Sequence, residues 1–306
     1  MGQKFPEVSV VVPTYNRKKD VLDCLGSLQN LTYPHCEVIV VDNGSTDGTA
    51  EAVKQRFPTV KLVRSDKNLG AAGGRNLGAK HSMGEYIFFL DSDTVVDRNV
   101  LSELVHVMQS DPGIGVAGPI LYYYDNPDDV WTAGSSVSFI TGQNYFNQQS
   151  VGNNVIETQI LPTAFMVKKC HNFGLFDDVF FFLYEDSDFC VRVREAGCKV
   201  VCVPTAKVWH KLPSDKREST EKWLQRGYYV ARNKIIFMRK HTDPLYFIVF
   251  LSIYPAYAIY YTMISLRFRR ADCLLRFWAG IFSGLSFAMR YKRSTSTSSP
   301  DSYQVH

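Results

Sequence analysis

Short, nearly unbroken apolar runs separated by polar loops fill the first third of the chain. Val8–Val12, Glu37–Val41, Val60–Val63 and Tyr86–Leu90 are too short for helices and rich in β-branched or aromatic residues, so each predicts a buried strand. Between them the apolar positions return at helical spacing. Val21, Leu25 and Leu28 follow Asn16, a candidate cap, while Ala50, Val53 and Phe57 follow the polar loop Asp42–Gly48. Gly70–His81 is glycine-rich and leads into a helix of small residues. Repeated strand–loop–helix order with near-continuous apolar strands predicts an α/β fold. Its sheet should be Rossmann-like and mostly parallel, with helices on both faces.

The pattern continues less regularly. Val100, Leu101, Leu104, Val105 and Met108 predict an amphipathic helix that Ser92, Asp93 or Asp97 could cap. Ile114–Leu121 reads as a strand, 122–155 as an irregular insertion with short strands, Leu161–Val167 and Cys198–Val203 as further strands. Acidic residues at Glu185, Asp186 and Asp188 open a helix and suit its dipole. The charged stretch Lys211–Gln225 reads as a mobile lid. Pro244–Leu266 carries no charge and approaches the length of a membrane span, whereas Cys273–Met289 is shorter and interrupted by Arg276. Arg232, Lys234, Arg239 and Lys240 precede these stretches, Arg267, Arg269 and Arg270 separate them, and Arg290, Lys292 and Arg293 follow. Positive charge on every side strains a simple crossing. It favours two amphipathic or re-entrant helices in the cytosolic leaflet, with a helical hairpin, a buried helical pair or a dimer interface as alternatives. The tail 294–306 is polar and reads as disordered.

Composition narrows the function classes. With 34 basic and 30 acidic residues among 306, the net charge of +4 gives no global signal for nucleic acid. The seven cysteines are scattered, which favours free thiols in a reducing compartment over a disulfide framework. Val8–Val12 runs straight into Pro13, so a secretory h-region is not expected and synthesis in the cytosol is.

Under one strand assignment, Pro13-Thr14-Tyr15-Asn16, Asp42-Asn43, Asn68 and Asp91-Ser92-Asp93 all fall beyond strand C-termini, where α/β sheets bind ligands. Two carboxylates ending a buried strand call for water, a cation or a basic partner, and carboxylate oxygens suit Mg2+ or Mn2+. Neither a dinucleotide fingerprint nor a Walker lysine loop is present. Gly70-Ala-Ala-Gly73-Gly74-Arg75-Asn76 reads either as a tight turn with close helix packing or as a backbone approach to a nucleotide, with Arg75 adding charge. Clustered acids at Glu185, Asp186 and Asp188 can raise one another's proton affinity, as a general base requires.

The motifs Pro13–Arg17, Val41–Gly48, Asn68–Asn76 and Asp91-Ser92-Asp93, in this order, resemble the family 2 glycosyltransferases of the inverting GT-A type over roughly the first two-thirds of the chain. The Asn68–Asn76 form resembles most the branch with bacterial rhamnosyltransferases. The resemblance implies a GT-A fold over 1–230, with a nucleotide-sugar half at 1–110 and an acceptor half and lid at 111–230; the apolar and basic stretches beyond it give a membrane-associated segment at 231–293. It implies a nucleotide site lined by Pro13, Thr14, Asn16, Asp42, Asn43, Asn68, Arg75, Asp91 and Ser92. It also implies Mg2+ or Mn2+ held by Asp91, Asp93 and His210. Asp186 would be the base and Glu185 would orient the acceptor, with Asp188 and Arg192 structural or phosphate-facing. Tyr228, Tyr229, Arg232 and Asn233 also match, without an assigned job. Trp131 reads first as packing and second as a platform for a sugar ring.

The expected reaction transfers a sugar with inversion from dTDP-rhamnose or a UDP-sugar to a hydroxyl of a polyprenyl-linked saccharide, at the cytoplasmic face of the cell membrane. A homo-oligomer is compatible with this. The alternatives are a polyprenyl- or dolichyl-phosphate glycosyltransferase and a non-catalytic sugar-nucleotide-binding membrane scaffold.

Overall fold

The computed structural model describes residues 5–149, 152–169, 173–213 and 215–292. The expected tail at 294–306 and Arg293 lie outside them. The chain divides into two compact units, one comprising 1–136, 146–181 and 185–212, the other 137–145, 182–184 and 213–306.

The first unit is a mixed sheet between helices. In chain order it contains β1 (Val8–Thr14), α1 (Lys18–Leu28), β2 (Cys36–Asp42), α2 (Thr49–Arg56), β3 (Lys61–Arg64), α3 (Gly70–His81), β4 (Tyr86–Leu90), β5 (Thr94–Val96) and α4 (Val100–Ser110). There follow β6 (Ile114–Tyr123) and β7 (Val130–Thr132), β8 (Ser135–Val137) and β9 (Asn144–Phe146), which both straddle the division, then β10 (Ile156–Glu157), β11 (Ala164–Lys168), α5 (Glu185–Glu195) and β12 (Lys199–His210). The sheet runs β10-β12-β6-β11-β4-β1-β2-β3, with β5 on β12 and β7 on β6, while β8 and β9 pair separately. The neighbours β3, β2, β1 and β4 are parallel, as the alternating pattern predicts. The sheet is not mostly parallel throughout. β11 lies antiparallel between β4 and β6, and β5, β7 and β10 add antiparallel pairs. These strands are short and come from the stretch where helices no longer separate every pair, so no parallel crossover is imposed on them.

Residues of alternating parity face opposite helical layers. Val8, Val10, Val12, Val40, Phe88 and Leu90 share one core with Val21 and Leu25 of α1 and Leu101, Leu104 and Val105 of α4. On the other face Val11 and Val41 meet α3 at Gly78, where a Cβ would stand 2.2 Å from Val11 Cγ1. Phe89 packs edge-on against Phe176, which stacks on Phe189 of α5.

Several predicted caps work differently. Asn16 does not cap α1; it has a left-handed φ of 50° and joins the β1 and β2 loops, donating its N–H to Ser45 Oγ and accepting from Thr46 N. The first turn of α1 is served instead by Asp47, whose Oδ2 accepts from Lys18 N at 3.2 Å. Nor do Ser92 and Asp93 cap α4, since β5 intervenes; the cap position is Asn99, and Asp97 just ahead of it accepts from Asn99 N at 2.8 Å.

In the second unit, α6 (Lys216–Gln225) occupies most of the stretch predicted as a lid, its N-terminus capped by Asp215, which accepts from Glu218 N. It leads to α7 (Gly227–His241), α8 (Pro244–Arg267) and α9 (Ala271–Arg290). Among the described residues α8 is the one helix long and apolar enough to cross a membrane. It buries a narrow stripe, Phe250, Tyr254, Ala258, Tyr261 and Ser265, and leaves Leu245, Ile248, Ile259, Met263 and Leu266 exposed.

Two glycines test the packing. Gly78→Val should destabilise the protein by about 2 kcal/mol, as overpacking at a close helix–sheet contact does. Gly26→Ala, where a Cβ meets nothing within 4 Å, should be neutral or stabilising. Denaturant unfolding monitored by circular dichroism checks both.

Candidate active site

The polar loops of the first unit converge at the C-terminal ends of β1, β2 and β4. Thr14 and Asp42 are paired across β1 and β2, so both side chains sit at the sheet edge, and both are buried. Asp42 Oδ1 accepts from Ser45 N, while Oδ2 lies 3.3 Å from Arg64 Nε without hydrogen-bond alignment. Asn43 donates from Nδ2 to Gly70 O, and Asn68 Oδ1 accepts from Gly70 N at 2.8 Å. Thr14 Oγ1, Asp42 Oδ2 and Asn43 Oδ1 are thus buried without a hydrogen-bond partner. Three such atoms on adjacent strand ends suit the donor groups of a ligand, because buried polar atoms are otherwise almost always satisfied.

Arg75 sits deeper than a nucleotide-facing cation would. Only 1% of its side chain is exposed. Nη2 donates to Asp91 Oδ1 at 2.7 Å, and Nη1 to Asp186 Oδ1 at 2.6 Å and Glu185 Oε1 at 3.1 Å. The structure therefore joins the end of β4 to the start of α5 through one guanidinium. Thr163, just before β11, reinforces the link. Its carbonyl accepts from Asp91 N, and its own N–H donates to Asp186 Oδ2 at 3.1 Å. The sequence pattern marks Thr163 only as part of a strand; its left-handed φ of 69° has no signal in a residue type that seldom adopts it.

Asp91, Asp93 and His210 come together as the motifs suggest, with ligand atoms all within 4.8 Å of one another. Antiparallel pairing of β5 with β12 sets His210 opposite Thr94, one residue beyond Asp93. His210 Nε2 lies 3.2 Å from Asp93 Oδ1, and its buried Nδ1 has no partner. Two carboxylates and an imidazole fit a divalent cation such as Mn2+ or Mg2+. Arg75 bonds Asp91 through Oδ1, and Arg17 Nη1 stands 3.9 Å from Asp93 Oδ2. Ser92 is buried in the turn between them.

Burial governs the charge states. It raises the Asp91 carboxyl, helped by Asp93 and Asp186 and opposed by Arg75. Burial would raise Asp93 too, but the charge and hydrogen bond of His210, with Arg17 beyond, hold it at about 2. Glu185 is pushed up to about 8 by burial and the nearby Asp186, with Arg75 opposing. Asp188 pairs with Arg192 one turn on, at 2.9 Å, and Arg192 also donates to Leu175 O, a bracing arrangement for α5.

Two consequences are measurable. Arg75→Met should cost about 3–5 kcal/mol at pH 7, because it strands buried carboxylates, and the cost should shrink as acid neutralises them. Glu185 holds its proton more tightly folded than unfolded, so its contribution to stability declines as pH rises from 4.5 towards 8. Glu185→Gln should flatten the unfolding free energy across that window.

The model of glycosyl transferase family 2 matches residues 9–180. Glycosyltransferase GlyG of Streptococcus pneumoniae serotype 4 is 31% identical over 188 residues, 57% of this chain and 59% of that protein. Glycosyltransferase AglE of Haloferax volcanii is 33% identical over 131 residues, 41% of this chain and 43% of its own. The chain thus spans about half the length of these curated relatives. Among solved structures, the mannosyltransferase PcManGT from Pyrobaculum calidifontis, in complex with GDP-Man and Mn2+, has a TM-score of 0.57 at 20% identity, over 94% of this chain and 77% of that one. Staphylococcus aureus TarS 1-349 gives 0.54 at 18%, over 94% and 75%. These structural likenesses concern the fold, a GT-A-like mixed α/β architecture. With more than half of its residues covered by the family model, the chain belongs to glycosyl transferase family 2.

Proposed function

We propose that the protein is a metal-dependent inverting glycosyltransferase that moves a sugar from a nucleotide-diphosphate donor to a hydroxyl of a lipid-linked saccharide, in assembly of a cell-surface glycan. The observation that carries this reading is the single charge network joining Asp91, beside Asp93 and His210, to Asp186 through Arg75. An inverting transfer needs a proton acceptor for the attacking hydroxyl and countercharge for the departing diphosphate, held at fixed separation. Thr14, Asp42 and Asn43 would take the base of the nucleotide with their unsatisfied acceptors. Pro13, Asn16, Asn68 and Ser92 would shape the same rim. Asp91, Asp93 and His210 would hold Mn2+ or Mg2+, which when bound offsets charge on the leaving phosphates.

Asp186 would receive the acceptor proton. Oδ1 is engaged by Arg75 and Oδ2 by Thr163 N, which fixes the carboxylate plane and leaves each oxygen a second lone pair. Glu185, with its high proton affinity, would serve as a neutral neighbour that keeps a second negative charge away from Asp186. The one-residue difference in role between these adjacent acids follows from burial: Glu185 is 6% exposed at its side chain and Asp186 16%.

The domain assignment proposed from sequence keeps 1–230 as the catalytic part and 231–293 as membrane-associated. The exposed apolar side of α8 and the arginines around α9 support contact with the headgroup region on the cytoplasmic side. Rhamnose from dTDP-rhamnose is the first donor to try, followed by UDP-sugars, with a polyprenyl-linked saccharide as acceptor.

Purified protein incubated with these donors and a lipid extract should yield product only with Mn2+ or Mg2+, with the anomeric configuration inverted. Asp93→Asn should abolish turnover, and Asp186→Asn should lower kcat by at least roughly a hundredfold. Turnover that survives chelation, or is indifferent to Asp186→Asn, would exclude the mechanism. Co-sedimentation should increase with the anionic lipid content of vesicles and fall at high salt.

A further inference from the structure

Trp131 is outside every motif discussed so far, yet its indole lies against a metal-cluster residue. Its ring meets His210 edge-on with centroids 5.0 Å apart and Phe146 at a tilt with centroids 5.3 Å apart. The backbone fixes this placement. Tyr122 pairs with Val130 on one side and Trp209 on the other, so β7 and the end of β12 flank the same strand. Asn147 accepts from Ala133 N at 2.7 Å and donates to Gly134 O at 2.9 Å, which brings Phe146 beside Trp131.

Core filling does not account for the pair. Trp131 packs against the main core yet stays half-buried, and Phe146 is 44% exposed. Beside them His210, 6% exposed, has an Nδ1 with no partner. Lys211 holds its ammonium over the exposed Tyr124 ring at 5.3 Å, so the surroundings are polar and poorly suited to an acyl chain. An aromatic surface next to an unsatisfied ring nitrogen matches a pyranose, which presents C–H groups on one face and hydroxyls around its rim. Aromatic side chains favour such contacts because they combine a large apolar area with directional electrostatics.

We propose that Trp131 and Phe146 form a platform for a hexopyranose ring beside His210. The ring is either the transferred sugar of the donor or the terminal sugar of the acceptor, both of which present the same chemistry. The assignment of the ring to a transfer reaction rests on the function proposed above, but the platform itself can be tested without turnover.

Saturation-transfer NMR on the full chain with methyl glucoside, methyl galactoside and methyl rhamnoside is the first arm. Ring C–H protons of at least one glycoside should receive saturation from wild-type protein, and Trp131→Ala and Phe146→Ala should remove it. Phe146 is exposed enough that its variant should fold even if Trp131→Ala does not. No saturation in the wild type, or saturation unchanged in both variants, would overturn the platform. In the kinetic arm, Phe146→Ala and Trp131→Ala should raise one KM roughly three- to tenfold with kcat nearly unchanged, the scale of an aromatic contact, and Trp131→Phe should recover most of it. A rise in the donor KM assigns the donor sugar, and a rise in the acceptor KM the acceptor sugar. If binding of UDP with Mn2+ weakens equally, Trp131 only supports His210 and the proposal fails. Absence of turnover with every donor would sink the transferase reading while the NMR arm still decides the platform.

Discussion

The buried Arg75 guanidinium is the constraint on which the site depends. It lies nearly solvent-free and satisfies three carboxylates from two distant parts of the chain, Asp91 at the end of β4 and Glu185 and Asp186 at the start of α5. Close pairing offsets the cost of desolvating these ions, although Arg75 Nε and Glu185 Oε2 are buried without a hydrogen-bond partner. The geometry of the cluster therefore fixes how far apart Asp91 and Asp186 stand. Phe176 covers the guanidinium from another side, with its ring centroid 5.3 Å away, which keeps water out and strengthens the pairing.

The sheet supplies the second condition. Parallel strands β1, β2 and β4 deliver Thr14, Asp42 and Asp91 to one edge, and antiparallel β11, inserted next to β4, returns the chain so that Thr163 meets both Asp91 and Asp186. The last strand, β12, runs parallel to β6, pairs with β5 near its end and finishes at His210. A mixed sheet thus achieves what a wholly parallel one would not: two chain directions bring residues more than a hundred positions apart to a common rim without intervening helices.

Local chemistry made much of this legible in advance. The apolar runs gave β1, β2, β3 and β4 within a residue or two of their observed bounds; burial on both faces leaves a continuous signal in β1 and β4, whereas β3, expected to be buried, lies at the sheet edge and is only partly buried. The grouping of Asp91, Asp93 and His210 came from motif order, and the structure brings those atoms together. What could not be read was tertiary in origin. Arg75 looks like any helix arginine until α5 folds against it, and Asn16 resembles a cap until the β2 loop presents Ser45 and Thr46. Asp47 caps a helix that precedes it in sequence, a relation no local window contains. Antiparallel strands of two or three residues, as in β7 and β10, carry too few positions for periodicity to speak, whereas the longer β11 shows within the apolar run Leu161–Val167.

Competition for Asp91 connects stability to chemistry. Arg75 takes one oxygen of this carboxylate, and a divalent ion would take the other, so the two cations share a ligand instead of excluding each other. A divalent ion held by Asp91, Asp93 and His210 would add positive charge beside the carboxylate that Arg75 also holds. Burial and the nearby Asp186 give Glu185 a high proton affinity, so this acid adds less negative charge around the single guanidinium. The burial that strengthens the Arg75 contacts therefore also raises the proton affinity of Glu185, which ties the folding of the cluster to its protonation.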